Sequence, residues 1–250
     1  MEKLCGKKCP PPLPGHQGFT LVELLITMAI SLLVMGIIHI AYRVYQHQYT
    51  TQSQVVEMQQ SIRSAMNFMM DDIRMAGYNP PKLTTAGIIS ATATSLRFTM
   101  DVSNAAGTAT DGDGIISVNE DITFSFISGA DADNNGIADS GAAQFVMTNG
   151  LKADGTRDVL PIADNISAVE FFYTFMDGTT GVAPISPYTA ADIRSVTITL
   201  LAQTNFPDRE YTDNRTYQRP SGAPDWPSFG DNFRRRLLTA TVKCRNMGLL

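Results

Sequence analysis

Residues 18–41 read GFTLVELLITMAISLLVMGIIHIA and contain the most apolar part of the chain. Within this stretch, residues 21–41 form an apolar run of about 21 residues. A helix of that length, at roughly 1.5 Å per residue, crosses the roughly 30 Å hydrocarbon core of a bilayer. Lys3, Lys7 and Lys8 precede the run against the single Glu2. The positive excess predicts a cytoplasmic N-terminus, with the body of the chain on the other side of the inner membrane.

Glu23 is the only charged residue between Phe19 and Tyr42. A carboxylate in a membrane segment is costly unless it is paired, so such a residue predicts a function with a partner nearby. The alternative is that Glu23 lies close enough to the cytoplasmic end to reach the lipid headgroups. Position alone leaves both interpretations open. A cleaved secretory signal fits less well, because its apolar region is about 7 to 15 residues long.

The nine residues GFTLVELLI, at positions 18–26, resemble the cleavage and methylation motif of type IV prepilins. The resemblance implies that a prepilin peptidase cuts between Gly18 and Phe19, which removes residues 1–18 as a leader. It also implies that Phe19 becomes N-methylated, and that the Glu23 carboxylate pairs with the N-terminal amine of a neighbouring subunit. Glycine fits such a cleavage site, because a residue without Cβ can enter a peptidase cleft in an extended form.

Beyond the apolar run the helical pattern continues. Between Tyr42 and Ala76 there is no proline, and apolar residues recur at spacings near three and four. They are Val44, Val55, Met58, Ile62, Ala65, Met66, Met69 and Ile73. Gly77, followed by Tyr78-Asn79-Pro80-Pro81, is a strong stop signal. The sequence therefore predicts one helix over 19–76, with a transmembrane or filament-core part at 19–41 and an amphipathic part at 42–76.

Two further segments narrow the resemblance to PilW-type minor pilins. The string DDIRMAGY at 71–78 resembles the end of the long helix in that family, where it leads into the globular domain. The string RNMGL at 245–249 resembles the C-terminal end of PilW-like proteins. The central part of the chain matches by pattern only.

Residues 77–250 show the alternation of apolar and polar side chains that is typical of strands. The clearest stretches are 96–102, 122–126, 169–175, 196–200 and 238–244. The predicted fold is therefore α+β, with a long N-terminal helix packed on an antiparallel sheet, as in type IV pilins. The polar stretch 205–232 predicts a long excursion, and the run Arg234–Arg236 predicts a solvated start of the last strand.

Composition excludes several classes of function. The formal net charge is −5, and this acidic balance makes nucleic acid an unlikely partner, so none is predicted. All three histidines lie at or before His47, so the body cannot hold a Ser-His-Asp triad or a histidine-ligated metal. A membrane-anchored carboxylate hydrolase is poorly supported, because the sequence contains no recognisable acid/base pair. We therefore predict that the protein is not an enzyme.

Two acidic loops leave calcium as the only candidate cofactor. The loop Asp131-Ala132-Asp133-Asn134-Asn135-Gly136 opens like a calcium loop, and Asp139 follows at its ninth position, but Ala142 occupies the twelfth. Asp111, Asp113 and Glu120 resemble later positions of a second loop whose first position is Ala109. Each loop is one ligand short, and both lie between predicted strands. The alternative is a pair of Asx-rich turns.

The leading prediction is a minor pilin of a type IV pilus, cleaved by prepilin peptidase, that associates with major and minor pilins near the tip and helps to initiate assembly. Two alternatives remain open. One is a J-type minor pseudopilin of type II secretion, and the other is a calcium-stabilised adhesin carried on the pilus. The location would be the inner membrane as a single-pass precursor, then the extracellular pilus or the periplasmic pseudopilus.

Overall fold

The computed structural model describes residues 18–103 and 112–248. Most of the predicted leader and the candidate ligand Asp111 lie outside these residues. Within them the chain forms one long helix and eight strands. They are α1 (Leu21–Met75), β1 (Ile88–Ala91), β2 (Leu96–Thr99), β3 (Asp121–Phe126), β4 (Ala143–Asn149), β5 (Val159–Phe175), β6 (Thr180–Gly181), β7 (Ile193–Gln203) and β8 (Arg235–Lys243).

The chain divides into two compact units between Thr50 and Thr51, so α1 belongs partly to each. In the first unit the described helical residues are exposed, apart from the half-buried His47. In the second unit α1 buries one stripe of apolar side chains. The buried residues are Met58, Ile62, Ala65, Met66, Met69 and Ile73. All six belong to the predicted stripe, because spacings of three and four place side chains on one face of a helix.

The end of α1 follows from Gly77. Its φ is +78°, a left-handed conformation that residues with a Cβ rarely adopt. The Gly77 N–H donates to Thr99 O at 3.0 Å, and the Tyr78 N–H donates to Met75 O at 2.9 Å. The chain therefore leaves the helix directly into contact with the end of β2. The helix ends at Met75, one residue before the predicted boundary.

The strands form one antiparallel sheet in the order β1-β2-β3-β4-β5-β7-β8, with β6 paired to β5. Successive side chains of a strand point to opposite faces, so Val169 and Ala168 lie on different faces. Val169, Leu200 and Val242 join the helix stripe in the main core. Ala168 and Leu201 join a second cluster with Tyr217 and Trp226. We call the face that bears Ala168 and Leu201 the outer face.

The predicted fold class is confirmed, since a long apolar helix continues into a segment that packs on an antiparallel sheet. Every predicted strand overlaps an observed one, but β1, β4 and β6 were not predicted, and β5 begins ten residues before its predicted start at Val169. Cys244 lies buried on the core face, and burial raises the pKa of its thiol to about 12. This thiol is therefore protonated and unreactive at neutral pH.

Candidate functional site

Residues 18–20, the described residues that lead into α1, are exposed. Phe19 is 89% exposed, and Gly18 is also exposed. A Cβ built on Gly18 would meet no heavy atom within 4 Å, and its φ does not lie in the left-handed region. The described residues therefore give no packing or backbone reason for glycine at position 18. A requirement for glycine at this position would have to come from another molecule that binds this segment.

Glu23 folds back on the start of its own helix. The Thr20 N–H and the Thr20 hydroxyl donate to Glu23 Oε2 at 2.9 Å and 2.8 Å. In return the Glu23 N–H donates to Thr20 Oγ1 at 3.2 Å. This reciprocal arrangement is a capping box, which satisfies N–H groups that a helix start leaves unpaired. The Thr-x-x-Glu spacing signals this role in the sequence, although the role was not predicted.

The first part of α1 presents a predominantly apolar surface. The helix is long and apolar enough to cross a membrane, by length and composition. None of its most apolar 18-residue window is buried within the structure. Large side chains such as Leu21, Leu32 and Met35 are at least 70% exposed. An exposed apolar surface of this extent marks a region that is covered by lipid or by other proteins.

The Asp131 loop is a compact turn closed by its own carboxylates. The Asn135 N–H donates to Asp131 Oδ1 at 3.0 Å and to Asp133 Oδ1 at 3.2 Å. The Gly136 N–H donates to Asp131 Oδ2 at 3.1 Å, and the Ala132 N–H donates to Asp139 Oδ2 at 2.9 Å. The sequence-predicted group of Asp131, Asp133, Asn135 and Asp139 is therefore brought into one turn.

Two further properties of this turn are the pKa of Asp131 and the backbone conformation of Gly136. Burial, with a contribution from the neighbouring Asp133 carboxyl, raises the pKa of Asp131 against the opposing effect of the Gly136 and Asn135 N–H groups. Gly136 has φ +85°, and a Cβ there would lie 2.6 Å from Val169 O. Across residues 18–103 and 112–248, no set of three or more His, Cys, Asp or Glu side chains is placed to hold a metal ion. The hydrogen bonds alone are those of Asx turns.

In the second predicted loop, the buried carboxylate of Glu120 binds backbone N–H groups. Glu120 is 1% exposed, and its Oε1 accepts from the N–H groups of Val102 and Ser103, both at 2.8 Å. Its Oε2 accepts from the Ser117 N–H at 2.8 Å. Burial raises the pKa of Glu120, but the N–H groups of Ser117, Ser103 and Val102 together outweigh it and lower the pKa overall. Glu120 thus ties two chain segments together through their backbone.

Asp101 has an equivalent role that the sequence analysis missed. It is fully buried, and its Oδ1 and Oδ2 accept from the N–H groups of Asp113 and Gly114 at 3.0 Å and 2.9 Å. The Asp113 carboxylate accepts from the Ile115 N–H at 2.9 Å. The described carboxylates of this region therefore bind backbone N–H groups, whereas Asp111 lies outside the described residues. Asp101 lies two residues beyond the end of β2, within the stretch 96–102 that was predicted as strand.

The connection between β7 and β8 (residues 204–234, here the β7–β8 connection) covers part of the outer face. Tyr217 and Trp226 from this connection pack on Ala168 and Leu201 of the sheet. Arg219 reaches Glu170, a fully buried residue of β5, through a 2.7 Å ion pair. The Ser221 hydroxyl donates to the same Glu170 Oε1 at 2.8 Å. A charged residue in the middle of β5 is thus paired by the segment that covers it.

Arg235 is the centre of the second buried charge cluster, and it contradicts the expectation that the arginine run is solvated. It is 3% exposed, and its Nη1 lies 3.2 Å from Asp213 Oδ2 and 2.6 Å from Asp231 Oδ1. Its Nη2 and Nε also donate, to Gln203 Oε1 at 2.8 Å and Ser167 Oγ at 3.1 Å. The buried position follows from strand alternation, because Arg235 lies on the outer face under the β7–β8 connection.

Comparison with known proteins supports the N-terminal assignment. Residues 13–38 match the family described as the prokaryotic N-terminal methylation motif. The predicted motif is therefore confirmed as a motif, over a segment that includes Gly18, Phe19 and Glu23. No curated protein matches the chain. The matched segment leads into the long helix α1.

A similarity to a solved structure was also found, to a type IV-like pilin, TTHA1219, from Thermus thermophilus. The identity is 15% and the TM-score is 0.48. The match covers 76% of this chain and 98% of the other.

Proposed function

We propose that the protein is a minor pilin of a type IV pilus, which prepilin peptidase processes and which takes part in initiating assembly near the tip. The observation that carries this proposal is the methylation motif at 13–38, placed at the start of a helix whose first part exposes mainly apolar side chains, with Glu23 as the only charged residue between Phe19 and Tyr42. The resemblance of residues 71–78 and 245–249 to PilW-type proteins supports the minor-pilin role. A J-type minor pseudopilin shares these features and is the alternative.

The open geometry of Gly18 and Phe19 agrees with processing by a peptidase. Cleavage there would create an amine at Phe19, four residues before the Glu23 carboxylate. In the apolar interior of a filament an unpaired carboxylate is costly, so an amine from a neighbouring subunit would stabilise it and set the register of association. Apolar side chains of α1 would supply the adhesion. This function is association with other pilins and the membrane, and it requires no catalysis.

The test of processing is Gly18→Ala in the full chain. We expect the variant to remain as precursor, whereas the native chain isolated from pili has an intact mass that begins at N-methyl-Phe19. A matched control is Gly36→Ala, because Gly36 is also open to solvent but lies inside the helix. The control should be cleaved normally. A native mature chain that still carries Lys3 to Gly18 contradicts the proposal.

The test of assembly is Glu23→Val. We expect the variant to insert into the membrane and to be cleaved, but to enter pili in reduced amount, because the amine loses its partner. Thr27→Val is the control, since Thr27 is another polar residue of the apolar segment and its hydroxyl donates only within the helix, to Leu24 O at 2.9 Å. Normal incorporation of the Glu23→Val variant would support the headgroup interpretation instead.

Calcium binding at the Asp131 loop is a second, subsidiary proposal. Its support is the gathering of Asp131, Asp133 and Asn135 in one turn, where neighbouring carboxylates repel each other without a cation. Coordination would stabilise the folded protein by mass action. In the full chain in detergent micelles, millimolar calcium should raise the thermal midpoint, and Asp131→Ala with Asp133→Ala should abolish that rise. Identical melting in calcium and in chelator identifies the loop as a pair of Asx turns.

A further inference from the structure

The two edges of the sheet are built differently. β1 forms one edge with four residues, and its pairing with β2 is interrupted by a register shift between Ile88 and Ser90. β8 forms the other edge with nine residues, all paired to β7 in unbroken register. Short or bulged edge strands discourage pairing with other chains, and long regular ones permit it. β8 therefore lacks the features that discourage an edge strand from pairing with another chain.

The hydrogen bonds at both ends of β8 show which groups face away from β7. The Cys244 N–H donates to Arg194 O and the Thr204 N–H donates to Arg234 O, both at 2.9 Å. These bonds define even-numbered residues as the hydrogen-bonded pairs of the ladder, because such pairs alternate in antiparallel strands. Thr197–Thr241 and Thr199–Thr239 are then non-hydrogen-bonded pairs, and their hydroxyls accordingly meet at 2.8 Å and 3.2 Å.

The N–H and C=O groups of Leu237, Thr239, Thr241 and Lys243 consequently point away from the sheet. The equivalent carbonyl of Arg235 accepts from Arg215 Nη2 at 3.2 Å, so the β7–β8 connection closes the first position of the edge. The outward N–H and C=O groups of Leu237, Thr239, Thr241 and Lys243 form no backbone hydrogen bond with any of the described residues. Thr239, Thr241 and Lys243 are exposed. The open part of the edge begins directly beyond the reach of Arg215.

The side chains around the open edge indicate the chemistry of a partner. The segment 235–245 contains no acidic residue, and Arg236, Lys243 and Arg245 are exposed. On the core face Leu238 and Ala240 are half-buried against the main core, so an added strand would cover their remaining apolar surface. An antiparallel pairing of two β8 strands centred on Thr239 would set Lys243 opposite Arg235 of the second copy. Charge therefore disfavours a second copy and favours an acidic strand.

We propose that the β8 edge binds an extended segment of another protein by strand addition, and that this segment alternates apolar with acidic residues. Main-chain hydrogen bonds to Thr239 and Thr241 would hold the segment, and its apolar side chains would cover Leu238 and Ala240 on the core face. Its carboxylates would then lie on the outer face, where alternation places Lys243. This inference goes beyond the proposed pilin function and does not depend on cleavage or methylation.

The test uses the full chain in detergent micelles and two synthetic peptides of about nine residues, the length of an ordinary strand. One peptide alternates valine with glutamate, and the other alternates valine with lysine. We expect the valine–glutamate peptide to bind at least about tenfold more tightly, as measured by fluorescence anisotropy. On binding, hydrogen exchange at the Thr239 and Thr241 amides should slow at least about tenfold. The amides of Leu238 and Ala240 should be protected with or without peptide.

Three variants separate main-chain pairing from side-chain contacts. Thr239→Pro removes an outward N–H that β7 does not use, so the variant should fold and bind the valine–glutamate peptide at least about tenfold more weakly. Thr239→Val loses the same hydroxyl but keeps the N–H, and it should bind normally. Lys243→Glu should reverse the order of the two peptides.

The proposal is overturned if the Thr239 and Thr241 amides of the native chain are already protected without peptide, which would show that the edge is covered. It is also overturned if neither peptide slows their exchange at up to about 1 mM, or if both peptides bind equally well. Because exchange is read on the native chain, these outcomes hold even if Thr239→Pro fails to fold.

Discussion

The two faces of the sheet are covered by different means. On the core face, α1 contributes an apolar stripe that packs on aromatic and aliphatic strand residues. On the outer face, the β7–β8 connection contributes a small apolar cluster around Trp226 and two buried charge clusters, Glu170–Arg219 and Asp213–Arg235. Apolar packing loses stability gradually as volume is removed, whereas a buried ion pair that loses one partner leaves an uncompensated charge. The outer face should therefore be the more sensitive of the two.

Arg235→Met gives the largest expected effect. The variant keeps a long side chain but leaves Asp213 buried without one of its two arginines, the other being Arg215 at 3.1 Å. We expect a loss of about 3 to 5 kcal/mol in the free energy of unfolding. Urea unfolding of the full chain in micelles measures it through the single tryptophan, Trp226, which is buried in this region.

The control for this variant is Arg236→Met, the exposed neighbour on the same strand, which should change stability by less than about 0.5 kcal/mol. Equal effects of the two substitutions would remove the distinction between a solvated arginine run and a buried one.

Ile73→Ala tests the core face. Ile73 is fully buried in the helix stripe, so its truncation should cost about 2 to 5 kcal/mol, according to how far the surrounding core can relax. Ile30→Ala is a matched control on the same helix, where the side chain is 58% exposed. We expect the control to leave the unfolding midpoint unchanged, since its side chain is already exposed in the folded protein. A small loss for Ile73→Ala, below about 1 kcal/mol, would mean that α1 contributes little to this core.

The core face is also the part that the sequence predicted best. Met58, Ile62, Met69 and Ile73 were identified as one helix face because helical periodicity is a local property of the sequence. β8 was identified for the same reason, since its residues alternate regularly. β1, β4 and β6 were missed because short or irregular strands have little periodicity.

The outer face was not predicted, because its contacts join residues that are distant in sequence. Arg235 pairs with Asp213 and Arg219 pairs with Glu170, and no local pattern connects those positions. A partial signal was present at Glu170, the single charged residue in the mainly apolar stretch 166–173. In a strand, such a residue indicates that another segment covers it and supplies the opposite charge. At the N-terminus, in contrast, the motif could be identified because its signal is confined to nine consecutive residues.

Tyr217→Phe tests how much one buried hydrogen bond contributes to the stability of the outer face. The Tyr217 hydroxyl donates to Asp213 Oδ2 at 2.6 Å in a buried position, and Arg215 Nη2 donates to Tyr217 Oη at 3.0 Å. Removing the hydroxyl should cost about 1.5 to 3 kcal/mol, the range for hydrogen bonds to charged groups. Tyr211→Phe is the control, because its hydroxyl reaches Asp213 Oδ1 at the longer distance of 3.2 Å. If the control costs as much as Tyr217→Phe, the burial of the donor does not decide the effect.

The smallest effect is expected at Asp72, a half-buried carboxylate of α1 next to the stripe. Burial, with a contribution from the charge of Asp71, raises the pKa of Asp72 from 3.8 to about 6. Because the folded protein holds this proton more tightly than the unfolded chain, the contribution of Asp72 to stability falls as pH rises from about 4 to about 6. Asp72→Asn should therefore stabilise the protein at pH 7 by about 1 kcal/mol, a value reduced for the partial exposure of the group. The gain should vanish below about pH 4, where both forms are neutral.

Asp71→Asn provides the comparison, since Asp71 is exposed and pairs with Arg74 at 2.7 Å, so its loss should cost less than about 1 kcal/mol. A stability gain for Asp72→Asn that is the same at pH 4 and pH 7 would show that side-chain packing, and not the charge, is responsible.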